Sequence, residues 1–188
     1  MVTQPELLRQ RILDSLRSQG FAVNDGQLVP FTEGDKTAIR QLHRQACLTK
    51  IEQAKTALAC HERWLLKYFA CGTEVIPERI CPVLHEVKPD TEEELLFRYA
   101  RLHWSVPVSA GYGRRLRFLV MDDHNGKLIG LFGLGDPVFR LGPRDAWIGW
   151  DVSSRRERLR YVMDAFVLGA VPPYSHLLCG KLMATLIA

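Results

Sequence analysis

At Gly113 the hydrophobic periodicity of this 188-residue chain changes, and no single element type can satisfy both halves. Before it, apolar residues recur every three or four positions: Leu8, Ile12 and Leu16 in one stretch, then Ile39, Leu42, Ala46, Ile51, Ala54 and Leu58 in a longer one. That spacing lines one face of a helix. After it, Leu116, Phe118 and Val120 alternate with Arg115, Arg117, Leu119 and Met121, and Asn125-Gly126 separates this run from the apolar residues at 128–132. Period two with a turn dipeptide between runs marks an antiparallel strand pair. The expected class is α/β (α+β): a helical N-terminal region at 1–70, then an α/β core at 71–188 with a mixed sheet and helices from about 113.

The local signals place the elements. Thr3-Gln-Pro-Glu6 has capping-box spacing with Pro5 in the first turn, so a helix is expected over 5–18, stopped by Gly20. Phe21-Ala-Val and Leu28-Val flank Asn24-Asp-Gly as a short hairpin or turn. Nothing breaks a helix from Asp35 to Phe69, which reads as one helix or two with a bend, ended by Cys71-Gly72 and Pro77. An irregular segment to Pro89 precedes a helix at 90–103, whose acidic start suits the positive end of the dipole. In the second half Trp147-Ile-Gly-Trp is expected to be a third strand. Ser154-x-x-Glu157 is expected to cap a helix to about 163, and a fourth strand covers 166–171. Pro172-Pro173 stops that strand, and Ser175 caps a final helix over Leu178, Leu182 and Leu186. That helix lacks a C-capping signal, so the chain reads as C-terminally incomplete.

Composition removes several classes. No apolar run approaches the roughly 20 residues of a membrane span, and the N-terminus lacks the basic-then-apolar order of a signal peptide, so a cytoplasmic protein is expected. Five cysteines at 47, 60, 71, 81 and 179 suit free thiols better than a disulfide framework. Charge is unevenly placed. Residues 1–70 carry ten Lys/Arg against seven Asp/Glu, 71–112 four against seven, and 113–188 eleven against seven. Two basic segments therefore flank an acidic one, and a pI near 8.9 is compatible with a nucleic-acid partner.

Three blocks carry a resemblance: Leu131–Asp136 (Leu-Phe-Gly-Leu-Gly-Asp), Trp147–Asp151 (Trp-Ile-Gly-Trp-Asp) and Met163–Leu182. With Trp104-Ser105 and Gly111-Tyr-Gly-Arg-Arg115, they make most of 76–188 resemble the bacterial DruA family, formerly of unknown function, which belongs to the Druantia anti-phage defence system. The resemblance implies a defence context and other defence-system subunits as partners, and it names no reaction. The order of expected elements also resembles the first part of the N-acetyltransferase (GNAT) fold. On that analogy a later strand and helix would be missing, and the chain would be a fragment or a shortened version.

Candidate sites follow from residue chemistry. A GNAT-like core would bind acyl-CoA at the turn after the fourth strand, 171–180, but Pro172 and Pro173 remove two amide donors there. Gly180-Lys181 lacks the rest of a P-loop, which leaves Lys181 as a solvated residue or an anion contact and Gly180 as a site of close packing. Asp136, Asp145, Asp151 and Asp164 could supply carboxylates for acid-base or metal-assisted chemistry; Asp164 and Asp151 are the catalytic candidates. Asp136 also reads as a turn residue and Asp151 as a helix cap, whereas Asp164, between a helix and an apolar strand, needs a partner or a function. Cys60, Cys71, Cys81 and His85 fit none of the paired spacings of zinc ligands, so no metal is expected and no cofactor is assigned. Arg114, Arg115 and Arg117, with Arg155, Arg156, Arg158 and Arg160, could track a phosphate backbone or form solvated faces. The favoured function is a defence-system subunit that binds or acts on nucleic acid. The alternatives are a CoA-dependent acyltransferase on a GNAT-like scaffold and a non-catalytic interaction subunit.

Overall fold

The computed structural model describes residues 4–18, 21–24, 27–30, 36–106, 108 and 111–187, and the expected Thr3 cap, Gly20 stop, Asp25-Gly26 turn and Asp35 start lie outside them. The chain divides into two compact units, 1–56 with 102–107, and 57–101 with 108–188.

The first unit contains helix α1 (Gln4–Ser18), the antiparallel strands β1 (Phe21–Asn24) and β2 (Gln27–Pro30), and most of helix α2 (Lys36–Leu58). All four elements lie where the sequence spacing puts them. Beyond Leu58 the expected long helix tightens into 3-10 turns at Ala59–His61 and Leu66–Tyr68 around a single α turn, α3 (Glu62–Leu65).

The second unit is built on four strands in the order β3 (Pro82–Glu86), β4 (Arg115–Asp122), β5 (Lys127–Gly135) and β6 (Asp164–Ala170), each antiparallel to the next. The sheet of the described residues is thus wholly antiparallel rather than mixed. β3 falls in the segment read as irregular. Its residues are exposed throughout and show no alternation, because an edge strand pays little for polar or proline residues. Helix α4 (Glu92–Leu102) follows it as expected. The β4–β5 pair runs from Arg115↔Gly135 to Asp122↔Lys127, so the connection has four residues, 123–126, instead of two. Asp122 lengthens it: its backbone oxygen accepts from the amides of Asn125 and Gly126, and its Oδ1 from that of His124.

Trp147-Ile-Gly-Trp is not a strand. Helix α5 (Gly142–Ile148) begins with Pro143 in its first turn and ends at Gly149, whose φ of 79° is left-handed. The Gly149 amide bonds the Ala146 oxygen and the Trp150 amide the Asp145 oxygen, the pattern of a glycine C-cap. Helix α6 (Val152–Arg158) is capped by Asp151, whose Oδ1 accepts from the Ser154 amide at 2.7 Å. Ser154 is therefore the third helical residue, not the cap. Nor does Ser175 cap the last helix: a 3-10 turn at Tyr174–Leu177 intervenes, and α7 (Cys179–Thr185) starts after Leu178. Gly180 is exposed near its start, with open space where a Cβ would stand, so no neighbour requires a glycine there.

The sheet is covered on both faces. On one, Val120, Ile129 and Phe132 pack with Tyr174, Cys179 and Met183 in and before α7. On the other, α4 approaches Arg117, Leu119 and Met121. A buried carboxylate joins the hairpin turn to α7's side: the Tyr174 hydroxyl donates to Asp122 Oδ2 at 2.7 Å and accepts from Asn125 Nδ2 at 2.9 Å. The Cys81 amide donates to Asp122 Oδ1 at 2.9 Å. Both Asp122 and Tyr174 are fully buried, so each needs these partners.

Tyr174→Phe is expected to lower stability by about 1.5–3 kcal/mol, since it removes a buried hydrogen bond to a charged group. Burial first, then the hydrogen bond to Asp122, pushes the Tyr174 hydroxyl up to about 12, with Asn125 opposing. An unfolded tyrosine ionises near pH 10, so this contribution is complete below about pH 10 and is lost as pH rises towards about 12. Tyr99, also pushed up to about 12, shares that alkaline limb. Denaturant titrations from pH 8 to 12 should show a shallower alkaline loss for Tyr174→Phe than for the parent.

Candidate functional site

Alternation along β4 sends Arg115 and Arg117 to the face of the sheet that carries α4, where their charges act on Arg101 of that helix. Glu94, Arg98 and Arg101 recur at helical spacing and share one side of α4. Arg117 Nη1 lies 2.5 Å from Glu94 Oε1, with both side chains about four-fifths buried. That bond, then the Asp90 amide, holds the Glu94 carboxyl below the usual range. Burial lowers the Arg101 pKa, and the charges of Arg98, Arg115 and Arg117 lower it further. Three guanidiniums thus act on that of Arg101, and two of them, Arg117 and Arg98, act on the Glu94 carboxylate as well. Arg98 and Arg101 make no hydrogen bond or ion pair among the described residues.

Arg115 is fixed by packing. Its guanidinium carbon lies 4.0 Å from the centre of the Phe166 ring, a cation–π contact. The ring in turn rests on β5 at Gly133, where a Cβ would stand 2.3 Å from Cζ, and near Gly135, where it would stand 3.3 Å from Cδ1. The glycines of Leu-Phe-Gly-Leu-Gly-Asp therefore clear a trough that Phe166 fills from β6 and Arg115 crosses from β4. Arg115 Nε is buried there without a partner.

Arg114 points elsewhere and is engaged. Its amide reaches Asp136 Oδ2 at 2.8 Å, its Nε reaches Oδ1 at 2.7 Å, and its Nη2 donates to the Arg160 oxygen at 2.8 Å. These bonds hold the Asp136 carboxyl below its ordinary value, the side chain contributing most. Asp136 is thereby the anchor of the 111–117 segment.

Arg155 is not a surface phosphate contact. It is 7% exposed, and its Nη1 lies 2.9 Å from Oδ2 of Asp145, itself 5% exposed. Arg144 binds the other oxygen through Nε at 3.0 Å and Nη2 at 2.8 Å. Burial works to raise the Asp145 pKa, but the two guanidiniums outweigh it and hold the carboxyl low. The four arginines of α6 and the 3-10 turn after it (Leu159–Tyr161) thus split: Arg155 turns inward, whereas Arg156, Arg158 and Arg160 are exposed. Lys181 is exposed on α7, across the sheet from the arginines of α4 and β4.

The two catalytic candidates, Asp151 and Asp164, have different surroundings. Asp151 is the α6 cap, its carboxyl held low by the Ser154 amide. Asp164 opens β6 at the surface, where it is exposed and its carboxylate meets no polar partner among the described residues. No group of three His, Cys, Asp or Glu side chains converges on a metal-sized site among the described residues, Cys60, Cys71, Cys81 and His85 included. Among those residues, too, no helix is long and apolar enough to cross a membrane. Sequence reasoning missed Arg98 and Arg101. Their spacing from Glu94 was visible, but only the sheet shows that this side of α4 faces Arg115 and Arg117.

A family model described as Druantia protein DruA matches residues 33–188. The curated Druantia protein DruA of Escherichia coli (strain UMEA 4076-1) is 48% identical over 180 residues, which are 96% of this chain and 45% of that protein. The chain therefore spans less than half the length of this relative. No solved structure matches the chain.

Arg155→Ala should lower the melting temperature far more than Arg156→Ala, because it leaves Asp145 buried with one cation fewer. The exposed Arg156→Ala should stay within about 0.5 kcal/mol of the parent. The Asp145 carboxyl is held low in the fold, so its contribution is present above about pH 4 and lost as pH falls. Thermal melts from pH 3 to 7 should show a smaller acid loss in Arg155→Ala.

Proposed function

Because this chain belongs to the Druantia protein DruA family, we propose that it is a component of a bacterial anti-phage defence system and binds nucleic acid through Arg98, Arg101, Arg115 and Arg117. The observation that carries this reading is that the charges of Arg98, Arg115 and Arg117 all act on the half-buried Arg101 guanidinium, while, among the described residues, only Arg117 of the four is ion-paired, to Glu94. Like charges held together in a partly buried setting oppose one another, and an incoming anion relieves that cost. Guanidinium forks match phosphate oxygens, and a nucleic-acid backbone supplies phosphates in series. Such contacts position a strand without reading its bases, so weak sequence preference is expected.

Two other readings rank lower. An acyl-CoA transferase on an N-acetyltransferase-like core would need free amides in the turn after β6. There the Ser175 and His176 amides are engaged by the oxygens of Val171 and Pro173, and Pro172 and Pro173 have none. A non-catalytic subunit that holds other defence components has one observation in its favour: Trp147 is 88% exposed at the end of α5, beside exposed Ile148 and Val152.

Fluorescence anisotropy with DNA and RNA oligonucleotides across a salt series separates these readings. Affinity should fall steeply with salt, and Arg98→Ala with Arg101→Ala should flatten the slope of log affinity on log salt by roughly one to two units. Arg156→Ala with Arg158→Ala should leave that slope unchanged. Binding with no change of slope in the first pair would place the nucleic-acid surface elsewhere, and no binding at low salt would favour the interaction subunit.

A further inference from the structure

At the other end of α4 from its arginines lies a small cavity of about 200 Å³ with the opposite electrostatic character. Two of its walls are the rings of Trp64 and Tyr68, whose centroids are 5.2 Å apart and whose planes stand at 77°. Its polar lining is Glu92 and Glu93 from the first turn of α4 and His85 of β3, and its apolar lining is Leu96 of α4 with Leu119 and Met121 of β4. Neither glutamate makes a hydrogen bond or ion pair among the described residues. Both act on Tyr68, whose hydroxyl is pushed up by burial and then by Glu92 and Glu93 in turn.

These features select a ligand class. Aromatic faces carry negative quadrupole density and attract cations, and two carboxylates beside them add net negative charge. An inorganic divalent ion does not fit, since no three metal-ligating side chains converge among the described residues. The volume is below the roughly 300–1,000 Å³ of pockets for drug-sized ligands, which limits the guest to a single small group. An apolar floor beneath a charged rim suits a cation carried on a short aliphatic stem.

We propose that this cavity binds an alkylammonium group, with the stem on Leu119 and Met121, the cation against Trp64 and Tyr68, and Glu92 and Glu93 as its counter-charges. The same chemistry is offered by a lysine side chain of a partner polypeptide and by a free aliphatic amine. It is independent of the arginine cluster, which selects anions.

The test uses the full chain and two-dimensional NMR, following the indole N–H of Trp64 identified with Trp64→Phe. Nα-acetyl-lysine methylamide should shift that signal saturably, and its uncharged isostere Nα-acetyl-norleucine methylamide should not. Glu92→Gln with Glu93→Gln lies on exposed positions, keeps the fold, and should weaken binding by roughly three- to thirty-fold, the scale of a charge-dependent contact. Trp64→Leu should weaken it similarly, and the glutamate pair remains decisive should that variant fail to fold. Spermidine binding more tightly than a lysine-containing peptide would identify a free amine as the source, and the reverse order a polypeptide. Equal binding of the norleucine compound, no effect of the glutamate substitutions, or no saturable shift at millimolar concentrations would overturn the proposal.

Discussion

The second unit depends on one constraint: β5 is buried on both of its faces. Leu128, Ile129 and Leu131 are wholly inaccessible and Phe132 nearly so, although the strand lies in an antiparallel sheet of only four. Antiparallel sheets can leave one face in water, but a strand apolar on both sides requires cover on both. α7 with Tyr174 supplies it on one face, and α4 with the Trp64–Tyr68 segment on the other. Removing either cover would expose the middle of the sheet, so the polar groups that locate these covers matter beyond their own bonds. Asp122 is the clearest case, since its two oxygens tie Cys81 just before β3, the hairpin turn and Tyr174 together.

That arrangement also creates the electrostatic pattern of the α4 face. The helix presents glutamates in its first turn and arginines towards its end, the order its dipole favours. Laid against the sheet, the acidic end meets Trp64 and Tyr68, and the basic end meets Arg115 and Arg117. Opposite characters therefore sit at opposite ends of one short helix, with Glu94 and Arg117 forming the ion pair between them. The cation–π stack of Arg115 on Phe166 holds one guanidinium in place by packing, which lowers the conformational cost of presenting it to an anion.

The arginines show how differently identical residues are used. Arg114 and Arg155 each stabilise a carboxylate, Asp136 and Asp145, within the fold. Arg156 and Arg158, one and three positions after Arg155, remain in solvent. Charge counts along the sequence treat these residues alike; their burial separates anchors from surfaces.

The sequence alone determined what depends on neighbours along the chain. Helical spacing located α1 and α2, an acidic first turn located α4, alternation with a glycine turn located β4 and β5, and Pro172-Pro173 marked the end of β6. Where a local signal was present but misread, as with Gly149 closing α5 or Asp151 capping α6, the cause was a competing pattern: aromatic residues that suggested a strand, and a Ser-x-x-Glu spacing three residues too late. Only tertiary structure decided the rest. β3 has no pattern of its own and becomes a strand because β4 offers it an edge. Arg155 and Arg156 are indistinguishable until packing buries one of them, and Arg98 and Arg101 join Arg115 and Arg117 only when α4 lies on the sheet. Periodicity is a local property of the backbone, whereas the environment of a charge is set by residues distant in sequence.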